Sequence, residues 1–106
     1  MARYLIRATY TAEGARGLLK EGGSKRRATL EQLVQKIGGS LEAFYFAFGE
    51  DDVYVLARLP DNVTAAAVGL TVSAAGAVRT STVVLLTPEE IDEAAKKSVE
   101  YRAPGA

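Results

Sequence analysis

Two strand-like runs, residues 41–48 and 53–59, flank the acidic turn Gly49-Glu50-Asp51-Asp52 and end at Pro60. No other feature constrains the fold of this chain as much. A connection that short makes the two runs an antiparallel hairpin. Side chains alternate along a strand, so the register decides which residues share a face, and a slip of one residue would invert every assignment. An even-numbered loop pairs Phe48 with Val53 and gathers Phe44, Phe46, Phe48, Val53, Val55 and Ala57 on one apolar face, which helices should cover. The opposite face then carries Ala43, Tyr45 and Ala47 beside Tyr54, Leu56 and Arg58. That mixture is too polar for a core and too apolar for open water, and it suits a partner surface or a ligand cavity.

Elsewhere the hydrophobic period switches between about 2 and about 3.6, which predicts alternating strands and helices. Residues 4–10 read as a strand with Tyr4, Ile6 and Ala8 on one side and Leu5, Arg7 and Thr9 on the other. Thr11 is placed to cap a helix that Gly22-Gly23 interrupts, and Ser24 to cap its second part, whose stripe is Leu30, Leu33, Val34 and Ile37. Gly38-Gly39 ends it. A third helix starts at Pro60-Asp61, with Val63, Ala66, Ala67, Leu70 and Ala74 as its inward face, and closes at Gly76. In the strand at 77–86, Arg79, Ser81 and Val83 alternate with Thr80 and Thr82, and either set can face the helices. Thr87-Pro88-Glu89-Glu90 spells a capping box with proline at the first helical position, so a terminal helix follows, with Ile91, Ala94, Ala95 and Val99 as its buried stripe. Residues 101–106 read as a tail behind a single domain, 1–100.

This order of elements predicts an α+β fold: a ferredoxin-like βαββαβ antiparallel sheet with helices on one face and an extra C-terminal helix. The uncovered face would expose on the order of hundreds of Å² around Leu5, Tyr45, Tyr54 and Leu56, more than a monomer usually tolerates, so a homodimer or higher homo-oligomer is expected.

Composition narrows the chemistry. The 106 residues carry 13 basic and 13 acidic side chains, interspersed, and this balance disfavours a nucleic-acid partner. No cysteine and no histidine are present, which removes thiolate nucleophiles, the commonest general base and the commonest transition-metal ligand, and counts against histidine-ligated haem while leaving tyrosine ligation open. No metal and no cofactor are expected. No apolar run approaches the roughly 20 residues that cross a bilayer, and the opening MARYLIRATY is too short and interrupted for a secretory signal, so the expectation is a cytoplasmic protein away from membranes.

In the glycine pair of GGSLEAFYFAFG, the turn GEDD, the strand ending Leu59-Pro60-Asp61, the strand Gly76-Ala77-Val78-Arg79-Thr80-Ser81-Thr82 and the run TPEEIDEA, the chain resembles the GYD-domain family over nearly its whole length. The resemblance implies a dimeric α+β barrel and no established activity. In the name-giving motif the glycine would be Gly49 and the aspartate Asp52, while Asp51 stands at the tyrosine position.

The acidic turn reads first as a solvated hairpin turn. A hard-cation site lacks the ligand spacing of a calcium loop, and a third reading sends Asp52 to the barrel mouth as a general base. Arg7, Tyr45, Tyr54 and Arg58 share the open face, where they either fill a dimer interface or orient an anionic or aromatic ligand. Lys25-Arg26-Arg27 reads as a solvated helix face, with Arg26 or Arg27 able to bridge to a neighbouring subunit. The functional expectation is a homo-oligomeric module that binds a small organic molecule or serves as an accessory protein. The alternative is a cofactor-independent enzyme of the isomerase, monooxygenase or dehalogenase kind, with Asp52 or Tyr45 moving a proton and Arg58 steadying an anion.

Overall fold

Residues Ala2–Tyr10 (β1) and Val53–Leu59 (β3) form the centre of one four-stranded antiparallel sheet in the computed structural model, which describes residues 1–106. Ser40–Phe46 (β2) lies outside β3 and Val78–Leu85 (β4) outside β1, giving the order β2-β3-β1-β4. Between the strands run α1 (Ala12–Glu21), α2 (Gly23–Lys36) and α3 (Asn62–Ala74), and α4 (Pro88–Ala95) follows β4. This is the α+β, ferredoxin-like arrangement that the order of hydrophobic patterns predicts.

Alternation along the two central strands builds the core. Tyr4 and Ala8 of β1 and Val53, Val55, Ala57 and Leu59 of β3 are buried on one side, against Val34 of α2 and Ala65 of α3. Tyr4 is almost fully buried, yet its hydroxyl donates to Asn62 Oδ1 at 2.6 Å, so burying the ring leaves no polar atom unsatisfied. The register of β4 settles its orientation: Val78, Thr80, Thr82 and Val84 face the helices, and Arg79, Ser81, Val83 and Leu85 share the open side with Arg3, Arg7 and Leu5.

The hairpin differs from expectation by two residues. Phe46, not Phe48, pairs with Val53, and Phe48 stands fully exposed in a six-residue loop, 47–52. Asp52 explains the shift. Its N–H donates to Ala8 O at 2.8 Å, its carbonyl accepts from Ala47 N–H at 2.8 Å, and its carboxylate Oδ2 accepts from Tyr10 N–H at 2.9 Å, so the loop is tied to the end of β1. Because the slip is even, face assignments survive within the paired strands, whereas Phe48, expected on the covered face, lies outside the sheet. An irregularity between Leu41 and Ala43 sets Glu42 outside the pairing, so Leu41 stays opposite Ala57 and packs into the core.

Three helix assignments need correction. Ser24 is not a cap: α2 begins at Gly23, after Gly22 at φ 85°, and has no side-chain cap bond. The inward stripe of α3 is Ala65, Val68, Gly69 and Val72, while Val63, Ala66, Ala67, Leu70 and Ala74 are exposed, Ala66 and Leu70 on the flank toward β4. The capping box of α4 is present as expected, with Thr87 and Glu90 exchanging bonds of 2.9 and 3.1 Å. Its stripe, however, buries nothing: Ile91, Ala94 and Ala95 of α4 and Val99 beyond it are all exposed, because no element of the chain packs over them closely enough to bury a side chain. Asp61 caps α3 by accepting from Thr64 N–H at 2.7 Å, a bond that holds its carboxyl below the usual carboxylate range.

Two pairs of substitutions test these contacts by urea unfolding. A Cβ on Gly14 would collide with Ala77 O and the Tyr10 ring, whereas Gly17, in the same helix, has open space around it. Gly14→Ala is expected to lose about 1–3 kcal/mol by overpacking, and Gly17→Ala to gain about 0.5–1 kcal/mol of helix stability. Asp52→Ala is expected to cost about 1–2 kcal/mol by leaving Tyr10 N–H unpaired, while Asp52→Asn, which keeps an acceptor oxygen, should retain most of that. Equal losses in both Asp52 variants would mean that the Tyr10 bond does not hold the loop.

Candidate functional site

The open face of the sheet is laid out in rows that cross all four strands. Tyr45, Tyr54, Arg7 and Ser81 are in register from β2 to β4, and Arg7 Nη2 donates to Ser81 Oγ at 3.3 Å. The next row is Ala43, Leu56, Leu5 and Val83, and beyond it lie Ser40, Arg58, Arg3 and Leu85. An aromatic and hydroxylic row and a basic row therefore bracket an apolar one. The pleat produces this pattern, since every second residue of each strand contributes and matching positions recur about 6.6 Å apart.

The face thus holds all four residues that the sequence singles out but divides them. Arg7, Tyr45 and Tyr54 come together in one row. Arg58 sits four residues along β3 from Tyr54, about 13 Å away at ordinary strand rise. Tyr45, on the edge strand, is 70% exposed, Tyr54 on the inner strand β3 is 38% exposed, and Arg7 is partly buried.

Electrostatics give the face its character. Arg3, Arg7, Arg58 and Arg79 stand on it against two carboxylates, Glu42 and Asp51. Glu42 reaches across β3 to Arg3, with Nε to Oε1 at 3.0 Å. Asp51 accepts from the Thr9 hydroxyl at 3.3 Å. The Nε atoms of both Arg7 and Arg58 are shielded from solvent and lack any hydrogen-bond partner. A shielded donor on a cation without an acceptor is costly, and a carboxylate or another anion that displaced the side chains over it would satisfy it.

Asp52 lies apart from these groups, at the end of β1, with Oδ2 engaged by Tyr10 N–H. No three acidic side chains of the chain converge in a way that could hold a metal ion. Sequence reasoning missed Ser81 and the Arg3–Glu42 pair. The alternation of β4 contained Ser81, once its phase was known, but Glu42 needed the irregularity at Leu41 and Ala43, which has no residue signature here. Arg26 is the other surprise, because it is half-buried rather than solvated and lies 3.8 Å from Glu21.

No helix of the chain is long and apolar enough to cross a membrane. No curated protein matches the sequence. The family model for the GYD domain matches residues 4–95, from the first core tyrosine to the last residue of α4. With the hairpin, the sheet order and the glycine-closed helices all inside that span, this chain belongs to the GYD domain family.

Proposed function

We propose that the protein is a homo-oligomeric binding module in which the open sheet faces of two copies close on each other around a small organic anion. The observation that carries this reading is the pair of shielded, unpartnered Nε atoms of Arg7 and Arg58 on a sheet face that nothing in the chain covers. The apolar row of Leu5, Leu56 and Val83 supplies area to bury in such a pairing, and the exposed stripe of α4 supplies more.

Pairing two such faces brings eight arginines toward one space, four from each copy, with only four carboxylates to offset them. Like charges at close range repel, and an anion between them reverses the sign of the interaction. Tyr45 and Tyr54 offer hydroxyl donors and ring faces beside Arg7, which fits a carboxylate borne on an aromatic or apolar body. Binding is favoured over proton-transfer catalysis because Asp52, the carboxylate best placed in the sequence to act as a base, spends Oδ2 on the backbone of Tyr10.

Sedimentation at micromolar concentration is expected to show a dimer or larger assembly, and Leu56→Glu, with an unchanged circular dichroism spectrum, to shift it toward monomer. A wild-type monomer would overturn the assembly half of the proposal. In thermal-shift measurements, benzoate or salicylate at about 100 times its dissociation constant should add about 2.7 kcal/mol. Arg7→Gln and Arg58→Gln should abolish that gain, and the absence of any shift would remove the ligand while leaving the assembly standing.

A further inference from the structure

The helix-covered side of the sheet carries its own space. The main contacts of α2 are with β2 and those of α3 with β4, on opposite flanks of the sheet, so a slot of about 240 Å³ remains between the helices above the central strands. Its walls are regular helix faces, Arg26, Leu30 and Leu33 on one side and Val68, Gly69 and Val72 on the other. Of its 18 lining residues 14 are hydrophobic, and Arg26 is the one charged group among them.

Apart from Thr80 and Thr82 along β4, the polar groups gather at one end. Tyr10 pairs with Val78 at the terminus of β1, and both line the slot together with Arg26. Burial, more than any neighbouring charge, raises the Tyr10 phenol above its usual range, so its hydroxyl stays protonated and able to donate. Two carboxylates lie near this end. Asp52 gives Oδ2 to Tyr10 N–H, and Glu21 comes no closer to the Arg26 guanidinium than 3.8 Å, beyond hydrogen-bond reach. The guanidinium therefore retains donors for a further acceptor.

We propose that this slot is a second binding site, separate from the open sheet face, for a small monocarboxylate whose apolar body enters between α2 and α3 while its carboxylate meets Arg26 at the mouth. Size sets the class. An apolar cavity of about 150 Å³ holds benzene, and drug-sized ligands need about 300 Å³ or more, so a body of one ring or about eight carbons fits. The sign of the charge comes from Arg26, whose planar fork matches a carboxylate. The site does not depend on the pairing of sheet faces, since it lies across the sheet from them.

Calorimetric titration with octanoate and 3-phenylpropanoate, and with the uncharged 1-octanol and 3-phenylpropan-1-ol, tests the assignment. One carboxylate per chain is expected to bind, with methyl resonances of Val55, Val68 and Val72 moving during the titration. Arg26→Gln should weaken octanoate about tenfold or more while leaving 1-octanol unchanged. Filling the slot with Val72→Phe or Gly69→Leu should abolish both ligands. A Cβ on Gly69 would meet nothing closer than Thr80 Oγ1 at 3.7 Å, so there is room to begin that side chain. Should the filled variants fail to fold, the methyl shifts in the unaltered protein decide. The proposal falls if those methyls stay still at saturating octanoate, if Arg26→Gln weakens acid and alcohol alike, or if Arg7→Gln rather than Arg26→Gln abolishes octanoate uptake, which would place the ligand on the open face.

Discussion

The pairing of β1 with β3, from Ala2 opposite Leu59 to Ala8 opposite Val53, is the constraint from which the rest of the structure follows. Six of the eight buried apolar residues lie on these two strands, so the core is largely one strand pair seen from one side. The same alternation that sends Tyr4, Val55 and Ala57 inward sends Leu5, Tyr54 and Arg58 outward. Neither face can change without the other, which is why the arginine-rich surface is as firmly specified as the core.

How much of this the sequence reveals depends on contrast between faces. In β3 the inward Val53, Val55, Ala57 and Leu59 alternate with Tyr54, Leu56 and Arg58, and in β1 Arg3, Arg7 and Thr9 mark the outward side, so the assignments hold even though the hairpin register moves by two. An even shift preserves parity, and parity is what the pattern encodes. The register itself is decided by Asp52, whose bonds to Ala8 and Tyr10 join residues more than 40 positions apart, a relation that no local pattern contains. In α3 the contrast vanishes. Val63, Ala66 and Leu70 make as good a stripe as Ala65, Val68 and Val72, and the choice falls to the sheet. For α4 the local signals are strong and correct, but burial is a tertiary property, and within this chain none of the helix is buried. The candidate site divides in the same way: its members follow from parity, whereas their separation into an Arg7 row and an Arg58 row needs the register.

The two faces also differ in what they lack. The open face has polar groups in excess of partners, with two guanidinium Nε atoms out of water and more positive than negative charge. The slot has the reverse problem, an apolar lining without enough side-chain volume to fill it, since α3 contributes only Val, Ala and Gly toward the sheet there. An under-filled interior forfeits contacts that a packed one would make, and it normally relaxes by collapse.

What prevents collapse is the way α3 is held. At its start, Asp61 caps the helix and Asn62 accepts from the buried Tyr4 hydroxyl. Just past its end, Thr11 donates its N–H to Ala77 O at 3.0 Å and its hydroxyl to Gly76 O at 2.9 Å, while Gly14 of α1 packs directly against that same Ala77 carbonyl. These bonds hold the start of the helix to β1 and the turn after its end to Thr11, where β1 passes into α1. A helix is stiff over the 13 residues between them, so moving its middle toward α2 would break polar contacts at one end or the other. The unfilled space is thus maintained by hydrogen bonds outside it. A ligand entering the slot would gain apolar contact area without having to open the fold, which is the condition under which binding costs least.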